Sequence, residues 1–385
     1  MRHRIAIVTF HRAYNYGAVL QAYSLNRYLR DNGADCELLD YYPEYFYNMY
    51  HVLPQDRRSL PGLKTLCCHM LLQSTLSKRN KGFERFLKQY TKISDRSYSN
   101  LKSVELPYDA FIAGSDQIWS PSAARFDPAF FLSSKPFAEK LKYSYAASFG
   151  TKYIPEELRK AYQKRLGSFR RISVREESGV PIVESLTGKS PIVSCDPTLL
   201  LEKNEWDEIC GEEPIIKGEY IFLYYVKQPK DIRLYAEKLA SDLKCKVVCL
   251  SCYFVKSNKL MYDYMSGKID EGPGFISYNT ASPNEFLNLI KYAKYVLTSS
   301  FHGTVFSILF HKQFLTQTIW GDGSVNERVI NLLDQVGLSK RSINNKTNDI
   351  DEVENWKLVD QMVSDMRSGG VQYLRTVLDD IGLLS

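Results

Sequence analysis

The sequence predicts an α/β protein built as two Rossmann-like halves facing a cleft. Three observations carry that expectation. The chain opens with a β-loop-α-β pattern, the same pattern restarts near residue 219, and 385 residues suffice for two domains. A hydrophobic fraction of 44% is ordinary for a globular chain and fills two cores.

The elements follow in order. Arg4-Ile-Ala-Ile-Val-Thr-Phe is an apolar run suited to a buried parallel strand. The loop His11-Arg-Ala-Tyr-Asn-Tyr-Gly leads to a helix with apolar positions Val19, Leu20, Tyr23, Leu25, Tyr28 and Leu29, closed by Asn32-Gly33. Cys36-Glu-Leu-Leu-Asp-Tyr-Tyr is the second strand. Further strands are expected at Tyr108–Ala113, Lys142–Ser148, Arg170–Val174 and Ile192–Cys195, with a helix over Pro155–Ser168. The second half restarts at Glu219-Tyr-Ile-Phe-Leu-Tyr-Tyr-Val. A helix from Asp231 to Leu243 and a strand from Cys245 to Leu250 follow. Ser282-Pro-Asn-Glu is a helix start: Ser282 caps, Pro283 occupies the first turn and Glu285 closes a capping box. Ala293–Ser300 is a strand that hands over to a helix at Phe301. Expected bounds are 1–205 for an N-terminal half, 206–345 for a C-terminal half and 346–385 for a helical tail.

Composition narrows the function. The net charge of +6 is diffuse and carries no concentrated basic patch, so nucleic acid is not an expected partner. Eight cysteines stand without a secretory leader before them, which suggests a reduced, cytoplasmic setting. Cys249-Leu-Ser-Cys252 matches the C-x-x-C spacing but has no second pair and no nearby His, so it reads as core. No apolar run reaches the ~20 residues that span a bilayer. Leu63–Leu76 followed by the basic stretch to Lys88 suits either a solvated face or rest on a membrane surface.

Chemistry in such folds sits at strand C-terminal ends. Four turns qualify. In Asn15-Tyr-Gly17-Ala-Val-Leu-Gln21, a glycine at a strand-to-helix junction admits a ligand to a helix N-terminus. In Gly114-Ser115-Asp116-Gln-Ile-Trp119, Asp116 is either a base or a turn cap, and Trp119 is a ring on which a sugar would stack. In Ser173-Val-Arg175-Glu176, the Arg175 fork either clamps a carboxylate or phosphate or pairs with Glu176 or Glu177. In Thr298-Ser299-Ser300-Phe301-His302-Gly303-Thr304, His302 begins a helix behind a hydroxyl-rich strand end and suits a proton donor. His11, in the first strand-helix loop, is its nearest rival.

These turns resemble, in order, the motifs of the polysaccharide pyruvyl transferase family. The resemblance rests on Asn15-Tyr-Gly-Ala-Val-Leu-Gln-Ala-Tyr, Gly114-Ser-Asp-Gln-Ile-Trp, Tyr145-Ala-Ala-Ser-Phe-Gly, Ser173-Val-Arg-Glu, Cys195-Asp-Pro-Thr and Ser299-Ser-Phe-His-Gly-Thr. It implies a fold like that of GT-B glycosyltransferases, with the acceptor on the N-terminal side and the donor on the C-terminal side. It implies phosphoenolpyruvate as co-substrate, with no metal or nucleotide cofactor. Arg175 would bind the donor anion, His302 would protonate the enol methylene, and Asp116 would be the base or orient the acceptor. Asn15, Gly17, Gln21, Ser115, Trp119, Ser148, Gly150, Ser299, Ser300, Phe301, Gly303 and Thr304 would line the substrates. Many family members carry an Arg two residues before the His, where this chain has Ser300; Arg328 is the candidate replacement.

The implied product is a pyruvyl ketal on a galactose-, glucose- or mannose-type sugar of a cell-surface polysaccharide. The sequence leaves open a nucleotide sugar, a finished polymer or an undecaprenyl-diphosphate-linked repeat unit at the inner membrane face as acceptor. Two other classes fit the same elements. A GT-B-like glycosyltransferase would need a nucleotide-binding loop with an acidic ribose contact. A non-catalytic sugar- or anion-binding relative would keep its function after His302→Ala.

Overall fold

A computed structural model of the chain describes residues 3–50, 60–102, 104–225, 230–251, 274–318, 323–343 and 349–383; within these, the side chains of 48–50, 60–74, 230 and 323–326 are not described. Cys252 and the side chains of Leu63–Ser74 therefore lie outside the described residues.

The N-terminal half alternates strand and helix. β1 (Arg4–Val8), α1 (Tyr16–Asp31) and β2 (Asp35–Leu38) form the opening unit. α2 (Glu44–Tyr50) and the long α3 (Leu60–Tyr90) precede β3 (Ala110–Ala113) and β4 (Leu141–Ser144). The four strands are parallel in the order β2-β1-β3-β4. Parallel bridges from Tyr143 to Arg171 and from Ala147 to Val174 extend the sheet to β5 (Ser173–Val174), which pairs with β6 (Ile192–Val193). α4 (Glu156–Leu166), α5 (Gly179–Thr187) and α6 (Lys203–Cys210) complete this half. The strands are buried on both sides, which is why they read as unbroken apolar runs rather than alternating ones.

The C-terminal half has five parallel strands in the order β11-β10-β7-β8-β9. They are β7 (Tyr220–Tyr225), β8 (Lys246–Ser251), β9 (Phe275–Ser277), β10 (Tyr295–Thr298) and β11 (Gln313–Thr316). Its helices are α7 (Lys230–Leu243), α8 (Pro283–Lys291), α9 (Phe301–Leu309) and α10 (Gly323–Gln335). The capping box of Ser282 and Glu285 forms at the start of α8 as expected. Cys249 is buried in β8, in keeping with its reading as core.

The two halves are joined by packing as well as by chain. Tyr16 of α1 stacks on Phe286 of α8, with ring centroids 4.7 Å apart, and its hydroxyl donates to the Ala281 carbonyl at 2.8 Å. Tyr23, Trp206 and Phe306 belong to the same buried cluster. The final helix, α11 (Trp356–Asp380), returns to the N-terminal half. There Tyr373 donates to the Ser144 carbonyl at 2.7 Å, and Arg367 donates to the Leu199 carbonyl at 2.7 Å. Gly370 lies so close to Tyr145 that a Cβ would stand 2.4 Å from its hydroxyl.

Each parallel sheet reverses the order in which its strands are added beside its first strand. In the first half the switch lies between β1 and β3, and in the second between β7 and β10. The crevices outside these strand ends are the places where α/β sheets bind ligands. They face one another.

Candidate active site

Arg175 leaves the end of β5 and its side chain is 4% exposed. Its Nη1 bonds to Oδ2 of Asp196, at the end of β6. Its Nε stands 3.6 Å from Oε1 of Glu176 and its Nη2 stands 3.7 Å from Oδ1 of Asp116. Burial alone would lower the guanidinium's proton affinity, but the Asp196, Glu176 and Asp116 carboxylates raise it above the ordinary arginine value. Asp196 is held from its other side too. Its Oδ1 accepts from the Thr198 amide at 3.0 Å and from the Thr198 hydroxyl at 2.7 Å, capping the short turn Pro197–Leu199. Burial would raise its carboxyl, yet His302, Arg175 and Thr198 hold it well below the usual carboxylate range.

The other wall comes from the second half. Ser300 caps α9, accepting from the Gly303 amide, and His302 stands in the first turn. His302 Nε2 faces Asp196 Oδ2 at 3.5 Å across the cleft. The ring rests on Gly17 of α1, where any Cβ would stand 1.9 Å from Nδ1. The glycine is therefore required by the histidine. Gly303 is fixed in the same way, since a Cβ there would stand 2.3 Å from the Thr298 hydroxyl.

Arg328 of α10 completes the cluster. Its guanidinium and that of Arg175 lie over the Phe301 ring, 5.8 Å and 5.2 Å from the centroid. Its Nε is 4.0 Å from Glu176. Burial and the nearby Arg175 charge lower its proton affinity below the ordinary arginine value. Arg175, Asp196, Phe301 and Arg328 line a cavity of about 290 Å³, to which Met366 and Gly369 of α11 also contribute. Several buried nitrogens here lack any hydrogen-bond partner: Nε and Nη2 of Arg175, Nε of Arg328 and Nε2 of His302. Buried donors are normally satisfied. The three on Arg175 and Arg328 line one cavity and fit an anion that accepts from them.

The model of the family described as polysaccharide pyruvyl transferase matches residues 15–316. The chain belongs to that family. No curated protein matches it. Among solved structures it is similar to the UDP-N-acetylglucosamine 2-epimerase of Rickettsia bellii, at 11% identity over 99% of this chain and 97% of that one, with a TM-score of 0.51. It is equally similar to S. aureus MnaA in a co-structure with UDP, at 11% identity over 100% and 98% of the two chains, with a TM-score of 0.51. At such identity the likeness shows the fold, which is of the GT-B type with two parallel α/β sheets.

Within this pyruvyl transferase family member the expected residues divide. Gly17, Asp116, Arg175, Phe301, His302 and Arg328 meet at the cleft. Ser148 supports them: its hydroxyl donates to Glu176 at 2.5 Å. Gly150 turns the chain at φ +62°, where a Cβ would strike Gln117. Asp116 accepts from the Gln117 amide at 2.8 Å, as its reading as a turn cap expects, and its carboxylate faces Arg175.

Trp119 is corrected, and the remaining positions carry bonds within the framework. Trp119 is 0% exposed, packed among Phe131, Phe149 and Phe169 with its Nε1 donating to the Phe130 carbonyl at 3.1 Å. It is a core residue and offers no face to a sugar. Ser115 donates to the Ala146 carbonyl, and Thr304 donates to the Ser300 carbonyl and bonds to the Thr316 hydroxyl. Both are buried framework. Asn15 caps α1 by accepting from the Ala18 amide. Gln21 donates to the Thr9 hydroxyl and the Ala18 carbonyl beneath the first loop. Ser299 is buried at the end of β10, its amide bonded to the Tyr224 carbonyl. The rival His11 is buried away from the cleft beside Asp40 at 3.2 Å, where Arg12 also bonds.

Asp196 and Glu176 were the acidic residues that sequence reading did not place in the site. The signal for Asp196 was the run Cys195-Asp-Pro-Thr, where an Asp followed by Pro caps a tight turn at a strand end.

Proposed function

We propose that this protein transfers the pyruvyl group of phosphoenolpyruvate to two hydroxyls of one sugar, forming a ketal and releasing phosphate. One observation supports the donor above the others: the unsatisfied buried nitrogens of Arg175 and Arg328 around one small cavity, with His302 beside Asp196 in its wall. Phosphoenolpyruvate brings a carboxylate and a phosphate three atoms apart, a match for cations set side by side. In this reading Arg328 supplies the charge that Ser300 does not.

His302 gives its proton to the methylene carbon, which becomes the methyl group and leaves C2 electrophilic. One sugar hydroxyl oxygen bonds to C2, then a second does so as the C2–O bond to phosphate breaks. One hydroxyl proton restores His302 and the other leaves with phosphate, so no oxidant or reductant is required. Asp116 is the base or acceptor-orienting group, because its carboxylate lies at the strand end beside Arg175. The acceptor enters from the Gly17 side of the cleft.

The acceptor class is a galactose-, glucose- or mannose-type unit of a surface polysaccharide, in a lipid-linked precursor at the cytoplasmic membrane face. Lys78, Lys81, Arg85 and Lys88 support that location, because they share the exposed face of α3 while Phe83, Phe86 and Leu87 point inward. Among the described residues no helix is long and apolar enough to cross a membrane. Co-sedimentation with anionic vesicles tests this contact, and its failure would remove it.

The deciding experiment is phosphate release from phosphoenolpyruvate by purified protein, with and without a panel of free and lipid-linked sugars. Acceptor-dependent release with an acid-labile pyruvyl adduct by mass spectrometry is expected. Inertness toward phosphoenolpyruvate together with turnover of a nucleotide sugar would replace this reading with glycosyl transfer.

A further inference from the structure

Asp196 occupies a position that the anion-binding reading does not explain. It belongs to the first half, at the end of β6, yet it faces the catalytic histidine of the second. A carboxylate has about four acceptor sites. Both of the Oδ1 contacts are spent on Thr198, whose amide and hydroxyl fix the plane of the group. Oδ2 is left between Arg175 and His302.

The two partners do not depend on it equally. Arg175 also has Glu176 at 3.6 Å and Asp116 at 3.7 Å. Among the described residues His302 has no carboxylate within ion-pairing distance other than Asp196. Asp116 and Glu176 reach the histidine only through Arg175, while Arg328 approaches from α10 over the Phe301 ring. An acid that must give up a proton at carbon needs one ring nitrogen anchored so that the other is aimed. Nε2 faces Asp196, and Nδ1 lies against Gly17 in the space that a Cβ would fill.

We infer that Asp196 is the positioning residue for His302: the charge on Oδ2, 3.5 Å from Nε2 across the cleft, holds the ring over Gly17 and leaves Nδ1 to carry the transferred proton. The inference rests on the proposed reaction and deepens it.

The test compares kcat, KM and equilibrium binding of phosphoenolpyruvate in wild type, Asp196→Asn, His302→Ala and the double variant. Asp196→Asn keeps the shape and the acceptor toward Thr198 but removes the charge. Its kcat is expected to fall about 10²-fold, at the lower end of what positioned proton donors contribute. Donor binding is expected to hold or tighten, because Arg175 keeps two carboxylates and loses a competitor. The double variant is expected to be no slower than His302→Ala, since residues acting as one unit are not additive. A merely structural role would instead lower binding and kcat together and add to the histidine loss. Thr198→Val serves if Asp196→Asn does not fold: it frees one edge of the carboxylate without changing charge, and a lowered kcat at constant KM is expected. Wild-type kcat in the folded aspartate variant, or additive losses in the double variant, overturns the inference alone. A wild-type chain that neither binds nor turns over phosphoenolpyruvate overturns the donor reading and the inference with it.

Discussion

Gly17 and His302 show how tightly single residues are specified at this cleft. With Gly17→Ala, a methyl would sit 1.9 Å from Nδ1, so the imidazole must move. Alanine in a helix is itself favourable by up to about 1 kcal/mol over glycine. We expect kcat to fall about 10²-fold, the effect of a misplacement near 1 Å, while the melting temperature stays close to wild type. A parallel loss of both would assign Gly17 to packing alone. Arg175→Lys separates charge from shape. An ammonium keeps the charge but cannot reach Asp196, Glu176 and the ligand as a planar fork does. The lost charged hydrogen bonds correspond to about 1.5–3 kcal/mol, a tenfold or larger rise in KM for phosphoenolpyruvate in steady-state kinetics. Cys195 lines the same cavity but is no rival nucleophile, because burial pushes its thiol up to about 12.

At the scale of elements, both strand-to-helix turns and the closing helix decide the site. The parallel strands were legible as apolar runs, and Ser282 and Glu285 announced the start of α8 in four residues. The polar turns after β3, β5 and β10 were legible for the same reason: short strands leave their chemistry at their ends. Trp119 was misread because a ring beside a polar turn has the same spelling whether it faces solvent or core. Only the packing of Phe131, Phe149 and Phe169, none adjacent to it in sequence, settles its side. Asp196 was hidden for the opposite reason, as its partners lie 21 residues upstream and in the other half. The docking of α11 makes its own prediction. In Gly370→Val the first added atom would stand 2.4 Å from the Tyr145 hydroxyl and 3.2 Å from Cys195 Sγ. Overpacking of this kind costs about 1–3 kcal/mol, to be read from the midpoint of urea unfolding with activity falling as Cys195 and its neighbour Asp196 shift.

Asp196 and Asp40 are buried carboxylates that the fold keeps charged by pairing them. Asp196 has its carboxyl held below the ordinary range by His302 and Arg175 against the cost of burial, and His11 and Arg12 do the same for Asp40. A carboxyl depressed in the folded state adds stability above its unfolded value, about 4, and that stability drains away as pH falls through and below it. Thermal melts from neutral pH downward should therefore show a steep acid loss for wild type. The gap between wild type and Asp196→Asn should be widest at neutral pH and should narrow below about 4. An equal gap at all pH values would mean that the aspartate acts by shape alone.

The return of α11 to the first half has a consequence for how the protein is made. A ribosome delivers the N-terminal sheet long before Trp356–Asp380 is translated. Until then the surface around Ser144, Tyr145 and Leu199 lacks its cover, and the cavity lacks the wall given by Met366 and Gly369. The nascent first half thus waits with an open flank through the synthesis of the whole second half, and the cavity gains that wall only once α11 has emerged.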